Sequence, residues 1–359
     1  MECASATTPT WYGSHMRILK RLVLSLLPLL VLPVTPADAV VEWELAEDAV
    51  ALGLTGVSPH VERTGTVDRL WYPAGLAGTG VADCSDAGTC ATVPTTGRLG
   101  SDFTAVTLPN GTRRAYFVEN AQGTPSKSVS SAACLTTACT AVGPSTVTNS
   151  ELTVSQNVRA WGVPDAVVTP DGKVRLYVVE SPVEGQCTEK LASYISTDGI
   201  SFTKEAGWRL ESGVSVDPEI LRAKSGDWLM ILADGPGCGD RVQKLYTSTS
   251  TDGLTWSTPQ RVSGSGSDLR RLDPTGYEVS PNVFRIYYAT APAGVLGDVT
   301  YTIKRGIIRI KDTTKGGDVG ITKTTTTTTP SKSKTITCVK GKITKKVVGT
   351  TCPKSYKKK

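Results

Sequence analysis

Short apolar runs, and not the stripes of amphipathic helices, organise this chain. "VRLYVV" (Val174–Val179) and "FRIYYA" (Phe284–Ala289) are typical. Each joins β-branched, aromatic and aliphatic residues and is bounded by Asn-Gly, Asp-Gly or Ser-Gly turn signals, which predicts strands. One local signal dissents, because "DPEILRAK" (Asp217–Lys224) carries the aspartate cap and first-turn proline of a helix start. A repeat overrules it. The segments beginning "VPDAVVTPDG" at Val163 and "VDPEILRAKSG" at Val216 align Pro164 with Pro218, 54 residues apart, and "STDGISFT" (Ser196–Thr203) aligns with "STDGLTWS" (Ser250–Ser257) at the same spacing. Three more segments, beginning at Ser58, Asp102 and Asp273, fit the column. In all five, an anchor (Pro59, Phe103, Pro164, Pro218, Pro274) stands thirteen residues before Tyr72, Tyr116, Tyr177, Ile231 or Tyr287.

The anchors are spaced 44, 61, 54 and 56 residues apart. Four short strands per unit at that period predict an all-β, five-bladed β-propeller over residues 40–321. A β-sandwich is the competing architecture, but it gives no reason for a regular repeat. The alternating "VVEWEL" at Val40 is expected to complete the last blade, which removes an exposed edge.

The "STDG" turns fall between the third and fourth strands, where the Ser and Asp side chains can bond nearby backbone N–H groups. In the first two units "CSDAGTC" (Cys84–Cys90) and "CLTTAC" (Cys134–Cys139) occupy that place, so local disulfides are expected there. Cys187 with Cys238 and Cys338 with Cys352 complete a pairing that is one of many that eight cysteines allow.

The ends differ from the body. Met16–Ala39 has a basic start, an apolar run short for a bilayer and a closing Ala-Asp-Ala, which reads as a secretory signal with a polar segment upstream. An uncleaved anchor is the alternative. Secretion or cell-surface association follows, and with it an oxidising compartment for the cysteines. Residues 322–337 read as a Thr/Ser/Lys linker and 338–359 as a small basic, disulfide-closed tail. Residues 322–359 hold eleven lysines and no acids, while residues 40–321 sum to −6 within a chain of net charge +6. The tail is therefore expected to meet anionic envelope polymers, with a solubilising tail as the plainer alternative. A nucleic-acid partner is not expected, and the chain is expected to be a monomer.

The starts of the innermost strands converge on the central funnel, and Asp102, Asp165, Asp217, Glu219 and Asp273 gather there. Glycoside hydrolysis needs two carboxyl groups, one as acid and one as base or nucleophile, about 5 to 10 Å apart. An aspartate beside proline at a strand start also caps its own turn, which is the plainer role for each acid. Trp161 near the funnel mouth could stack on a sugar ring. Arg271, with Arg159 and Arg270, could meet a carboxylated sugar. His60 by itself supports neither a metal site nor a Ser/His triad.

Blades with S-x-D-G-x-[ST]-[WF] turns preceded by Asp-Pro strand starts resemble the five-bladed β-propeller glycosidases, such as families 32 and 43, and more distantly the sialidase-type Asp-box proteins. The box is shorter here by one residue. The resemblance covers about residues 45–311 and speaks to fold more than to activity. It implies Asp102 and Asp165 as base and modulator and Glu219 as acid; from their places at the funnel, His60, Asp217, Asp273, Trp161 and Arg271 are the candidate substrate contacts, and no cofactor is expected unless calcium sits in the channel. The first blade departs from that pattern, with Ser58 and His60 where an aspartate is wanted, and the third has "PDA" where a glutamate is wanted. Two functions stay open: a carbohydrate-active hydrolase, or a non-catalytic carbohydrate-binding or adhesion propeller.

Overall fold

A computed structural model of the chain describes residues 41–73, 79–95, 100–120, 126–136, 138–144, 153–155, 162–180, 189–213, 215–235, 242–264, 268–293, 299–311, 335–340, 343–348 and 357–358. The contacts divide the chain into two units, Met1–Lys311 and Asp312–Lys359. The first is a five-bladed β-propeller. Blade 1 runs outward from the axis through His60–Thr64, Val67–Pro73, Thr79–Ser85 and Cys90–Thr92, and blade 2 through Ser101–Thr107, Arg113–Asn120, Ser126–Ala133 and Thr153–Ser155. Blade 3 comprises Gly162–Val168, Val174–Glu180 and Glu189–Ser196, with an outer edge split between Thr203–Lys204 and Leu210–Gly213. Blade 4 comprises Ser215–Arg222, Trp228–Asp234, Leu245–Ser250 and Gln260–Arg261. Blade 5 uses Leu269–Ser280, Val283–Pro292 and Thr302–Ile310, and its outermost strand is Trp43–Glu47 from the other end of the chain. The "VVEWEL" expectation is thus met, and "DPEILR" is a strand because its bonds go to Trp228–Asp234 and not to itself.

Both faces of each blade are covered, which explains why its central strands are apolar throughout and not alternating. Successive residues point into opposite gaps. Leu176 and Val178 pack with Tyr116 and Val118 of blade 2. Tyr177 and Val179 face Trp228, Met230 and Leu232 of blade 4. Leu229 and Ile231 turn the other way, toward Phe284, Ile286 and Tyr288 of blade 5. Trp71 and Val81 meet Phe103 and Phe117 between blades 1 and 2, and Leu70 and Tyr72 meet Tyr287 and Ile303 between blades 1 and 5. Each gap therefore holds its own apolar cluster, and each fully buried side chain adds roughly 1.5–3 kcal/mol.

The "STDG" turns lock neighbouring blades. Within each turn the serine accepts from the glycine N–H (Ser196 from Gly199 and Ser250 from Gly253, both 2.9 Å). The aspartate accepts two further N–H groups, Asp198 from Ile200 and Ser201 at 2.8 Å and Asp252 from Leu254 and Thr255 at 2.7 Å. That fixes the glycine carbonyl outward, where the previous blade finds it. Tyr116 donates to Gly199 O at 2.8 Å, and Tyr177 donates to Gly253 O at 2.6 Å. The glycines are required at φ +71°: a Cβ on Gly199 would lie 2.8 Å from the Tyr116 hydroxyl, and one on Gly253 3.1 Å from that of Tyr177. Where cysteines replace the turn, Cys84–Cys90 and Cys134–Cys139 are disulfides, and Trp71 Nε1 donates to Cys139 O at 3.1 Å.

That last bond corrects the sequence column. Tyr116, Tyr177, Ile231 and Tyr287 pair with Thr104, Asp165, Glu219 and Thr275, whereas His60 pairs with Trp71. The inner hairpin of blade 1 closes over only Gly65 and Thr66, so Trp71 and not Tyr72 holds the locking position. Tyr72 faces the gap on the other side.

In the second unit, Thr335–Lys340 pairs with Ile343–Val348 and with Lys357–Lys358, and Cys338 is disulfide-bonded. Its expected partner Cys352, together with Cys187, Cys238 and the signal segment, lies outside the described residues.

Candidate functional site: the axial funnel

One backbone irregularity, repeated, builds the funnel. The inner strands of blades 2 to 5 each break register, at Ser101/Thr104, Gly162/Asp165, Val216/Glu219 and Leu272/Thr275. These are bulges, which re-aim side chains. The residue before each anchor is left-handed: Ser58 (φ 44°), Asp102 (51°), Val163 (31°), Asp217 (53°) and Asp273 (50°). Three are aspartates, which tolerate that region, while Val163 is β-branched and strained there. Four precede proline, which disfavours helical backbone still further. All five blades share the distortion, acid or not, so it serves to turn the chain at the axis.

Two tiers of side chains result, and all of their members but Thr275, which backs Glu219, line one axial cavity. The lower tier holds the left-handed residues themselves. The upper holds the residues one past each anchor: His60, Thr104, Asp165, Glu219 and Thr275. In the upper tier the side chain reaches the backbone of the following blade. Asp165 Oδ2 accepts from Ile220 N (2.7 Å), Glu219 Oε1 from Gly276 N (3.0 Å), and Thr275 Oγ1 from Val61 N (3.0 Å). Thr104 Oγ1 donates to Asp165 Oδ1 (3.0 Å), as Thr275 Oγ1 does to Glu219 Oε1 (3.2 Å). The lower tier repeats the device, with Asp217 Oδ2 accepting from Asp273 N (3.3 Å) and Asp273 Oδ2 from Ser58 N (2.8 Å). His60 breaks the series. Its Nε2 makes no hydrogen bond, with Glu62 Oε1 3.6 Å away, and its ring packs on Trp71 and Phe103.

Burial governs the electrostatics. Asp165 and Asp273 are both raised to about 6, mainly by desolvation, with Asp102 adding repulsion at Asp273. Desolvation first, then the neighbouring carboxyl (Asp273 and Asp165 respectively), holds Asp217 and Glu219 well above the usual range. Glu62 behaves oppositely. Burial alone would raise it, but His60 and Arg113 bring it down to about 2.

The five acids, with His60, are thus brought together as the repeat implied. Arg271 is not. Its side chain is 3 % exposed and pairs with Glu47 on the closing strand, so it binds the two ends of blade 5 to each other. Trp161 and Arg159 lie outside the described residues. Thr104 and Thr275 were missed as members of the site, although each stands one residue past its anchor, as Asp165 and Glu219 do. Among the described residues no group of three or more His, Cys, Asp or Glu is arranged to hold a metal ion.

Space decides what the tiers can do. The cavity measures about 30 Å³. A water needs at least roughly 10–15 Å³ on this measure, and ligand pockets run to roughly 300–1,000 Å³. The enclosed space between the tiers therefore has room for a very few waters.

No family model matches the sequence, and no curated protein matches it. Solved structures do match in fold. A thermostable family-43 glycoside hydrolase superposes with a TM-score of 0.50 at 14% identity, covering 76% of this chain and 98% of its own. An endo-arabinase from Bacteroides thetaiotaomicron gives 0.52 at 12%, covering 74% and 98%, and an α-L-arabinofuranosidase from Podospora anserina, solved with cellotriose, gives 0.53 at 9%, covering 75% and 97%. These establish the fold alone. The chain is a five-bladed propeller with structural neighbours among the family-43 glycoside hydrolases.

Proposed function

We propose that this protein is an exported propeller that engages carbohydrate as a binding module and does not hydrolyse it. One observation carries the second half: Asp165 and Glu219, two of the three acids expected to do chemistry, are engaged in joining blades. Asp165 has both carboxyl oxygens bonded, to Thr104, Ala166 and Ile220, and Glu219 has Oε1 bonded to blade 5. A general acid or base must reach a substrate oxygen within hydrogen-bond distance, and the oxygens bonded to the next blade are already committed. Carbohydrate as the ligand class is supported by fold analogy, since neighbours of this architecture include an endo-arabinase and an α-L-arabinofuranosidase solved with cellotriose. The shortened Asp-box turns fit a structural use of that motif. Cleavage near Ala39 and retention through the eleven-lysine tail on anionic envelope polymers complete the reading.

A second reading rests on Glu219, whose carboxyl stays protonated above the ordinary range, as a glycosidase acid requires. With Asp102, half-buried at the same funnel, it could form an acid–base pair. The mature chain, incubated with a panel of aryl-glycosides and separately with immobilised polysaccharides, distinguishes the two. Polysaccharide retention without turnover is expected. Turnover that disappears in Glu219→Gln would replace the binding module with the hydrolase.

A further inference from the structure

Among the described residues six arginines are buried, and five of them are engaged. Arg114 donates to Ser131, Arg175 to Glu205 and Arg271 to Glu47. Arg305 donates to Asp48 and to the carbonyls of Ser85 and Asp86, and Arg209 to those of Leu254, Ala206 and Gly207. Arg270 is the sixth. It is 5 % exposed, yet its guanidinium forms no hydrogen bond or ion pair with any described residue. Nε is sealed from solvent, and the two terminal nitrogens keep what little water contact the side chain has. A buried cation without a counter-charge is costly, whereas its planar fork of N–H donors matches a carboxylate through two parallel bonds. We propose that Arg270 receives a carboxylate carried by the glycan, which makes the ligand a polysaccharide containing uronic acids.

The position suits a ligand at the rim. Arg270 is the second residue of the inner strand of blade 5, three before Asp273 of the funnel and so roughly 10 Å from it along the strand. It does not line the enclosed cavity, so a sugar held by it stays outside that space. The acids around this strand start leave it unpaired. Glu47 is taken by Arg271, Asp234 Oδ1 accepts the Lys244 backbone N–H at 2.5 Å, and Asp268, two residues back, is exposed and forms no ion pair with Arg270. A second cation stands close by in the chain, since Lys244 Nζ donates to the carbonyl of Leu269, the residue before Arg270, at 2.9 Å. This inference names the ligand class of the binding reading and rests on it.

Thermal unfolding of the full chain with short galacturonate oligomers, and with the same oligomers as methyl esters, tests it. At about 100 times its Kd the acid form should raise the wild-type Tm by roughly 5 °C or more, and the ester, which keeps the rings and loses the charge, should not. Arg270→Met should remove the response. The lysine tail is common to both proteins, so a shift caused by the tail survives the substitution. A wild-type shift that persists in Arg270→Met, or an equal shift with the methyl ester or with inorganic sulfate, overturns the proposal. If Arg270→Met does not fold, Arg270→Lys, which keeps the charge without the fork, should bind the acid oligomer about tenfold more weakly, and an unchanged Kd refutes the assignment. Retention of the wild type on neutral polysaccharides with no response to the acid oligomer defeats this inference alone. Neither retention nor response defeats the binding reading with it.

Discussion

The two ends of this propeller use aspartate for the same task with opposite electrostatic results. At the turn end, Asp198 and Asp252 each accept two backbone N–H groups in an exposed hairpin, and those bonds, Ser201 and Thr255 first, bring both down to about 2. At the funnel end, Asp165 and Asp273 also accept backbone N–H groups, yet both are held near 6. Hydrogen bonding to the charged form is present in both places. What differs is water: the turn acids keep theirs, while the funnel acids lose it and gain carboxyl neighbours. One residue type thus makes the turns most secure when ionised and the axis most secure when neutral.

The largest test of the contrast is Asp165→Ala, which leaves the Ile220 N–H buried without a side-chain acceptor and the Ala166 N–H with only its long 3.4 Å bond to Thr104 Oγ1. It should cost about 3 kcal/mol in urea unfolding, since each abandoned donor costs about 1–3 kcal/mol. A loss under about 1 kcal/mol would mean that the funnel is wetter than its geometry implies. The pH profile comes next. Turn acids with lowered pKa stabilise above the unfolded value of 3.8 and lose that contribution as pH falls toward about 2. Funnel acids with raised pKa contribute below 3.8 and lose it as pH rises through about 6. Calorimetry should therefore find maximal stability where these windows meet, near about pH 4. Changing both Asp198 and Asp252 to asparagine should make the acid limb shallower, with Glu62 and Asp171 still contributing to it, and leave the alkaline limb unchanged.

Smaller effects sharpen the turn side. Gly253→Ala should cost about 2 kcal/mol, because a left-handed alanine there also comes within 2.9 Å of Arg175 and 3.1 Å of Tyr177. Gly111→Ala, equally left-handed (φ +82°) with nothing within 4 Å, should cost about half as much. Asp252→Ala should cost only about 1 kcal/mol by denaturant titration, since water replaces the lost acceptor at an exposed turn. Equal losses for Asp252→Ala and Asp165→Ala would erase the distinction between the two ends.

The turns were the more legible of the two. Their bonds span two or three residues, so "STDG" at matching positions contains nearly all of the geometry. The gathering of five acids at the axis was also legible, because each stands one residue before or one residue after its anchor. Their work was not. Asp165 bonds Ile220, 55 residues on, and Thr275 bonds Val61, 214 residues back, partners that exist only once the ring closes. The aromatic column failed at blade 1 for a related reason, since a two-residue turn moves the lock from Tyr72 to Trp71 and the sequence spacing alone does not reveal which strand residues face each other.

By itself, then, the sequence determined what short range can determine: the period, the strands, the Asp-Gly turns, the two hairpin disulfides and the position of the acids. The tertiary structure decided what those acids are. Whether an aspartate stays ionised or reaches a substrate depends on how much water five converging blades exclude and which backbone groups they bring within 3 Å, and that environment is assembled from every blade at once.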